Sequence, residues 1–143
     1  MMKGQSSIEL IMVIGMAMVL ASPFILTSQD AVLDLQTGSK LLRVESSLDK
    51  IESGVNFVSK YSAPTKTTFR VDIPSSVVDV RSKQFADRSA IIFNVQQRGE
   101  MTNRSRIFDR RVVLQNASEL EGEGKPKVAV QLWKDQINVS VVG

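Results

Sequence analysis

The chain has 143 residues, of which 43% are hydrophobic and 23% are charged, so it can supply one globular core of ordinary composition. It contains no cysteine and no histidine, which excludes disulfides, thiolate chemistry, the usual zinc ligands and the Ser-His-Asp triad. The net charge of +3 says little about partners. With no glycine-rich phosphate loop either, we expect neither an enzyme nor a protein that uses a cofactor or a metal ion.

An uncharged apolar run occupies residues 10–26, directly after the carboxylate of Glu9. As a helix it would be about 26 Å long, which nearly spans the hydrocarbon core of a bilayer. An ionised side chain at the edge of such a segment is costly unless it has a partner, so by default it marks function. We interpret residues 5–26 as a hydrophobic, membrane-spanning helix. A cleaved secretory signal is the weaker interpretation, because the helical pattern continues past Ala21 and Ser22.

The segment 27–62 is amphipathic, with apolar residues mostly three or four positions apart. We expect one long helix that continues out of the apolar run, is kinked by Pro23 and ends before Pro64. Its expected buried stripe consists of Val32, Leu35, Leu42, Leu48, Ile51, Val55 and Val58.

After residue 62 the period of the pattern changes to two, which is typical of strands. The segments TFRVDI and AIIFNV alternate apolar and polar residues, and KDQ is short enough for a hairpin turn. Further strands are expected at about 76–81, 106–114, 127–133 and 137–142. The predicted fold class is α+β, with the long N-terminal helix packed on an antiparallel β-sheet domain of five or six strands at residues 63–143.

Residues 3–10 read KGQSSIEL, so that Gln5, Ser7 and Glu9 stand just before the apolar run. This order resembles the class III signal peptide of archaeal type IV pilins, whose pattern is Gln-x-Ser-x-Glu-x-x-x-Leu. Val13 stands in place of the final leucine. The resemblance implies a type IV pilin-like fold. It also implies a structural subunit of an extracellular filament that assembles through its N-terminal helix and serves surface adhesion.

The resemblance also implies processing and partners. Residues 1–4, with the basic Lys3, would form a leader peptide, and a prepilin peptidase would cut between Gly4 and Gln5. The precursor would lie in the cell membrane before a pilus assembly platform and its ATPase add it to a filament of identical subunits on the cell surface. Residues 5–26 would then form the core of the fibre.

Cleavage would give Gln5 a free ammonium group, and Glu9 lies four residues on, about one helical turn away. In the pilins that this chain resembles, the glutamate pairs with the N-terminal amine of a neighbouring subunit. A charge pair removed from water adds little net stability, but a misplaced subunit leaves both charges unpaired. We therefore expect Gln5 and Glu9 to set the register of assembly. In one alternative, Glu9 only flanks an ordinary signal anchor. In another, the chain is a membrane-anchored or minor pilin-like binding module that uses the same export route but does not form the bulk of a fibre.

Three sequons lie in the expected β domain, at Asn103, Asn116 and Asn138. They are possible N-glycosylation sites, which would suit an exported protein. The alternative, that they are ordinary turn and surface asparagines, stays open for each.

The segment 98–111 contains five arginines against two carboxylates. Such a segment can attract phosphate or an acidic surface, but it is more often the solvated face of a strand. Trp133 and Tyr61 are the only residues of their types and form no stacking platform with it, so no nucleic acid is expected as a partner.

Overall fold

A computed structural model describes the backbone of residues 3–143 and the side chains from Gln5 onward. The predicted leader at residues 1–4 therefore lies outside the described side chains. The described residues form one α-helix, seven strands and one 3₁₀ helix. The elements are α1 (Lys3–Ser59), β1 (Thr65–Arg70), β2 (Val77–Gln84), β3 (Ser89–Gln97), β4 (Glu100–Phe108), β5 (Arg111–Gln115), the 3₁₀ helix (Ala117–Leu120), β6 (Lys127–Trp133) and β7 (Gln136–Val142).

The chain divides into two compact units, one ending at Gly38 and the other spanning Ser39–Gly143. We call them the helical unit and the β unit. In the helical unit the described chain is all α-helix, and α1 continues through Pro23. The β unit contains the rest of α1 and all the strands.

The strands form two sheets, which confirms the predicted α+β class. A four-stranded sheet has the order β1-β6-β7-β5, and a three-stranded sheet has the order β2-β3-β4. All pairs are antiparallel except β5 and β7, which run parallel with Arg111 opposite Gln136. The domain is thus antiparallel-rich and not purely antiparallel. Its two sheets and seven strands replace the expected single sheet of five or six.

Two expected boundaries were wrong. The strand expected at about 106–114 is the end of β4 followed by β5, with a break at residues 109–110. The expected loop QRGEMTN is a two-residue hairpin turn between β3 and β4. Arg98 and Gly99 both have positive φ, at 48° and 84°, as the tight turn of a twisted hairpin requires. The hairpin predicted at KDQ is confirmed, since β6 ends at Trp133 and β7 begins at Gln136.

The core of the β unit lies between α1 and the inner faces of the sheets. The helical residues in it are Val44, Leu48, Ile51, Val55 and Val58, all of them buried, with Leu41 partly buried against them. Their spacing alternates between three and four residues, which keeps one face of the helix toward the core.

The first part of the expected stripe was wrong. Leu42 is 71% exposed, and Val32 and Leu35 are also exposed, in the helical unit. Val44 takes the core position instead, because the register that buries Leu48 and Ile51 turns Leu42 outward.

Gly54 marks a close approach of α1 to β1. A Cβ atom on Gly54 would overlap Cε1 of Phe69, so a larger residue would displace the ring or the helix. Gly54 therefore serves packing in the β unit.

Candidate functional site

The sequence motif lies at the start of α1. Gln5, Ser7 and Glu9 are all helical and exposed. Gln5 and Glu9, four residues apart, share one face of the helix, whereas Ser7 lies on another. No described side chain forms an ion pair with Glu9, and no lysine or arginine occurs between Gln5 and Lys40. The described part of the helical unit therefore offers Glu9 no cation.

The helical unit has an apolar surface that nothing in the described chain covers. Its large apolar side chains from Ile8 to Leu35 are between 47% and 74% exposed. A helix that is apolar on all sides requires a membrane or a set of packed neighbours around it. Among the described residues, α1 is the one helix long and apolar enough to cross a membrane.

Four hydroxyl groups of the helical unit bond within the helix. Ser22 Oγ donates to the carbonyl oxygen of Met18 at 2.9 Å, and Ser28 Oγ donates to that of Phe24 at 2.6 Å. Thr27 and Thr37 make the same kind of bond one turn back. Because these donors are satisfied internally, this helix can enter an apolar environment without leaving them unpaired.

The β unit holds its part of α1 by polar contacts on two sides. On the first, Arg43 donates to both carboxylate oxygens of Asp72, from Nη2 at 2.6 Å and from Nε at 3.0 Å. The hydroxyl of Ser47, which is 1% exposed, donates to the Asp72 carbonyl oxygen at 2.8 Å and accepts from its N–H. The hydrogen bonds from Arg43 lower the pKa of the Asp72 carboxyl.

On the second side, Arg106 of β4 contacts three carboxylates of α1. Its Nη2 lies 2.6 Å from Asp49 and 2.9 Å from Glu45, and its Nε lies 3.3 Å from Glu52. Hydrogen bonding to Asp49 and Glu45 raises the pKa of the Arg106 guanidinium. Arg104 adds a longer contact of 3.5 Å to Glu45. We call this group of charged residues the carboxylate clamp.

The clamp corrects the interpretation of segment 98–111 as a solvated strand face for Arg104 and Arg106, whereas Arg98, Arg110 and Arg111 are exposed. Arg104 and Arg106 point to the side of β4 that faces α1, while their neighbours on β4 are exposed. The spacing of Glu45, Asp49 and Glu52 at i, i+4 and i+7 was a signal for this contact, since it lines carboxylates along one helix face.

The three sequon asparagines have different settings. Asn116 is exposed, just after β5, in a left-handed conformation. Asn103 is exposed on β4, an edge strand of its sheet. Asn138 is half-buried on β7, between β5 and β6, and its Oδ1 accepts a hydrogen bond from Gln136 at 2.7 Å. A transferase reaches a turn or an edge more readily than the middle of a sheet. Asn116 and Asn103 are therefore more accessible than Asn138.

Comparison of the chain with protein-family models, with curated proteins and with solved structures gives no match. Within the described residues, no group of three or more acidic, histidine or cysteine side chains is arranged to hold a metal ion. The candidate functional site is therefore the helical unit itself, with the motif at its start and the exposed apolar surface behind it.

Proposed function

We propose that the chain is a structural subunit of an archaeal type IV pilus-like filament, processed by a prepilin peptidase and assembled through its N-terminal helix. The observation that carries the proposal is the exposure of the whole apolar surface of the helical unit, from Ile8 to Leu35, in a chain whose β unit has its own core. A surface of this kind is stable in lipid or among copies of itself.

The proposal assigns this one surface to two environments. In the precursor, residues 5–26 span the membrane. In the filament the same residues pack against those of other copies and form the fibre core. The internally bonded hydroxyls of Ser22, Thr27 and Ser28 support both states, because neither lipid nor a helix bundle supplies water to them.

Glu9 provides the register of assembly in this proposal. After cleavage between Gly4 and Gln5, each subunit carries a new ammonium group one turn from Glu9. The described side chains give Glu9 no ion pair, so the ammonium of a neighbouring subunit is the partner that we assign to it. A subunit in the wrong position would bury both charges without partners, which is strongly unfavourable.

In the proposed filament the β unit faces the medium outside the cell, and its proposed role is surface adhesion. An assembly platform and its ATPase would extract the precursor from the membrane, and the filament would stand on the cell surface. The alternative, a membrane-anchored or minor pilin-like module, has the same processing but does not form the bulk of a fibre.

The mature N-terminus tests the processing. Intact mass and N-terminal sequencing of protein from its native cells should place the first residue at Gln5, and the same mass spectra report glycans at Asn103 and Asn116. Gly4→Phe should leave uncleaved precursor in the membrane, because the bulky side chain occupies the cleavage position.

Gly15→Phe is the matched control, since Gly15 lies on the same helix with no atom within 4 Å of its would-be Cβ. This variant should still be cleaved. A native chain that begins at Met1 or near Pro23 contradicts the proposal. Isolated filaments in which this chain is a trace component support the minor-subunit alternative.

A further inference from the structure

We propose that the outer face of the four-stranded sheet binds an anionic polysaccharide. The outer face is the side away from the core, on which strand register places alternate residues of β1, β6, β7 and β5. Its members are Lys66, Thr68 and Arg70; Lys127, Ala129, Gln131 and Trp133; Gln136, Asn138, Ser140 and Val142; and Arg111, Val113 and Gln115.

The charge on this face has one sign. Lys66, Arg70, Lys127 and Arg111 are exposed, and none of the strand positions of the face carries a carboxylate. Among the described residues none of these four cations forms an ion pair. Glu119 borders the depression beside Arg70 and Lys127 at one end of the face, and it is paired with neither.

Several arginines elsewhere in the β unit are ion-paired. Arg43, Arg88 and Arg106 pair with carboxylates at 2.6 to 3.1 Å. On the outer face of the three-stranded sheet, Arg81 pairs with Asp79. The outer face of the four-stranded sheet thus gathers four unpaired cations with no carboxylate among its strand positions, and a polyanion is the ligand that complements them.

The rest of the face suits sugar hydroxyls. Between the cations lie four side-chain amides and two hydroxyls, and Trp133 at one end is 54% exposed. Amides both donate and accept hydrogen bonds, and an exposed indole can stack on a sugar ring. Lys66 and Arg70 lie four residues apart on β1, about 13 Å, so an extended chain can contact both.

Other polyanions fit less well. Binding of single-stranded nucleic acid uses several aromatic platforms along the strand, whereas this face has one aromatic residue, Trp133. Binding to an anionic membrane uses apolar side chains beside the cations, and among the strand positions of the face the exposed aliphatic residue is Val142. A polymer of uronic acids matches both the charges and the amides.

The proposal goes beyond the proposed filament function and does not depend on assembly, because all of these residues belong to the β unit. It also requires the centre of the face to be open. Asn138 lies at this centre, between Gln131 and Val113, so we expect its sequon to carry no glycan.

The test measures binding of the full-length chain in detergent micelles to sodium polygalacturonate and to uncharged dextran of matched length. Polygalacturonate should bind, with an affinity that falls as salt is raised, and dextran should not. The triple variant Lys66→Gln, Arg70→Gln, Lys127→Gln should bind polygalacturonate about tenfold more weakly, since each exposed charge contact contributes about twofold. The salt dependence should weaken at the same time.

The matched control is Lys40→Gln, Lys60→Gln, Lys83→Gln, which removes the same charge from exposed positions off the face. It should bind as the unchanged chain does, and thermal unfolding should show that both variants are folded. Equal weakening by the two triple variants would mean non-specific attraction and would overturn the proposal. So would tighter binding to single-stranded DNA than to polygalacturonate.

Discussion

In the helical unit the large apolar side chains are 47–74% exposed, whereas in the β unit the helical stripe from Val44 to Val58 is 0–2% exposed. Both sets of residues belong to the same helix, α1, and both are strongly apolar. What differs is the location of the partner: the β unit supplies its own sheets, and the described part of the helical unit contains nothing but helix. Exposure of apolar residues thus marks the part of α1 whose partner lies outside the described chain.

Truncation of one leucine in each setting gives the largest expected difference in stability. Leu48→Ala should lower the free energy of unfolding of the β unit by about 2–5 kcal/mol, because it leaves a cavity in the core. Leu42→Ala, on the exposed side of the same helix, should change it by no more than about 0.5 kcal/mol. Denaturant unfolding of the full chain in micelles, followed by Trp133 fluorescence, measures both. Equal losses would mean that the helix packs in another register.

Removal of the carboxylate clamp should have a smaller effect. Arg106→Gln leaves Glu45, Asp49 and Glu52 close together without their shared cation, and we expect a loss of about 1–2 kcal/mol in the unfolding free energy of the β unit. Arg81→Gln is the control, because the side chain of Arg81 is 64% exposed and pairs with a carboxylate on its own strand. A loss as small as that of the control would show that the clamp does not hold α1.

The contact between Arg43 and Asp72 should give the smallest effect, visible in the pH dependence. Arg43 holds the pKa of the folded Asp72 carboxyl below its ordinary value, so this group stabilises the fold at pH above its unfolded pKa. The contribution is lost as the pH falls through the lowered pKa, below about pH 4. Asp72→Asn should therefore reduce the acid-induced loss of stability, whereas Asp87→Asn, in an exposed turn, should not. Parallel acid unfolding curves for the two variants would contradict this assignment.

The α+β class and the buried residues of α1 from Leu48 to Val58 could be predicted from the sequence because they follow from local periodicity. Leu48, Ile51, Val55 and Val58 repeat every three or four residues, and the change to a period of two after the helix is equally local. The exposure of Leu42 could not be predicted from periodicity, since it depends on where along α1 the sheets begin to cover the helix.

Long-range features could not be predicted from the sequence for a similar reason. The parallel pairing of β5 with β7 joins segments more than 20 residues apart, and no local pattern records it. The break between β4 and β5 at residues 109–110 contains neither glycine nor proline. Arginine is a residue type usual at protein surfaces, so the sequence alone does not show that Arg106 contacts carboxylates on α1. The cleavage site, Glu9 and the filament rest on the sequence motif and stay predictions.

The Glu9→Gln variant tests the proposed assembly role of the helical unit most directly. Glutamine keeps the shape of the side chain and removes its charge, so the neighbouring ammonium group would lack its counter-charge. Filament yield, measured by electron microscopy and by the mass of sedimented fibres, should fall about tenfold or more. Cleavage at Gly4 and the unfolding of the β unit should be unchanged, and Asp30→Asn on the same helix should assemble normally. Filaments of normal abundance from Glu9→Gln would contradict the account and favour the signal-anchor interpretation.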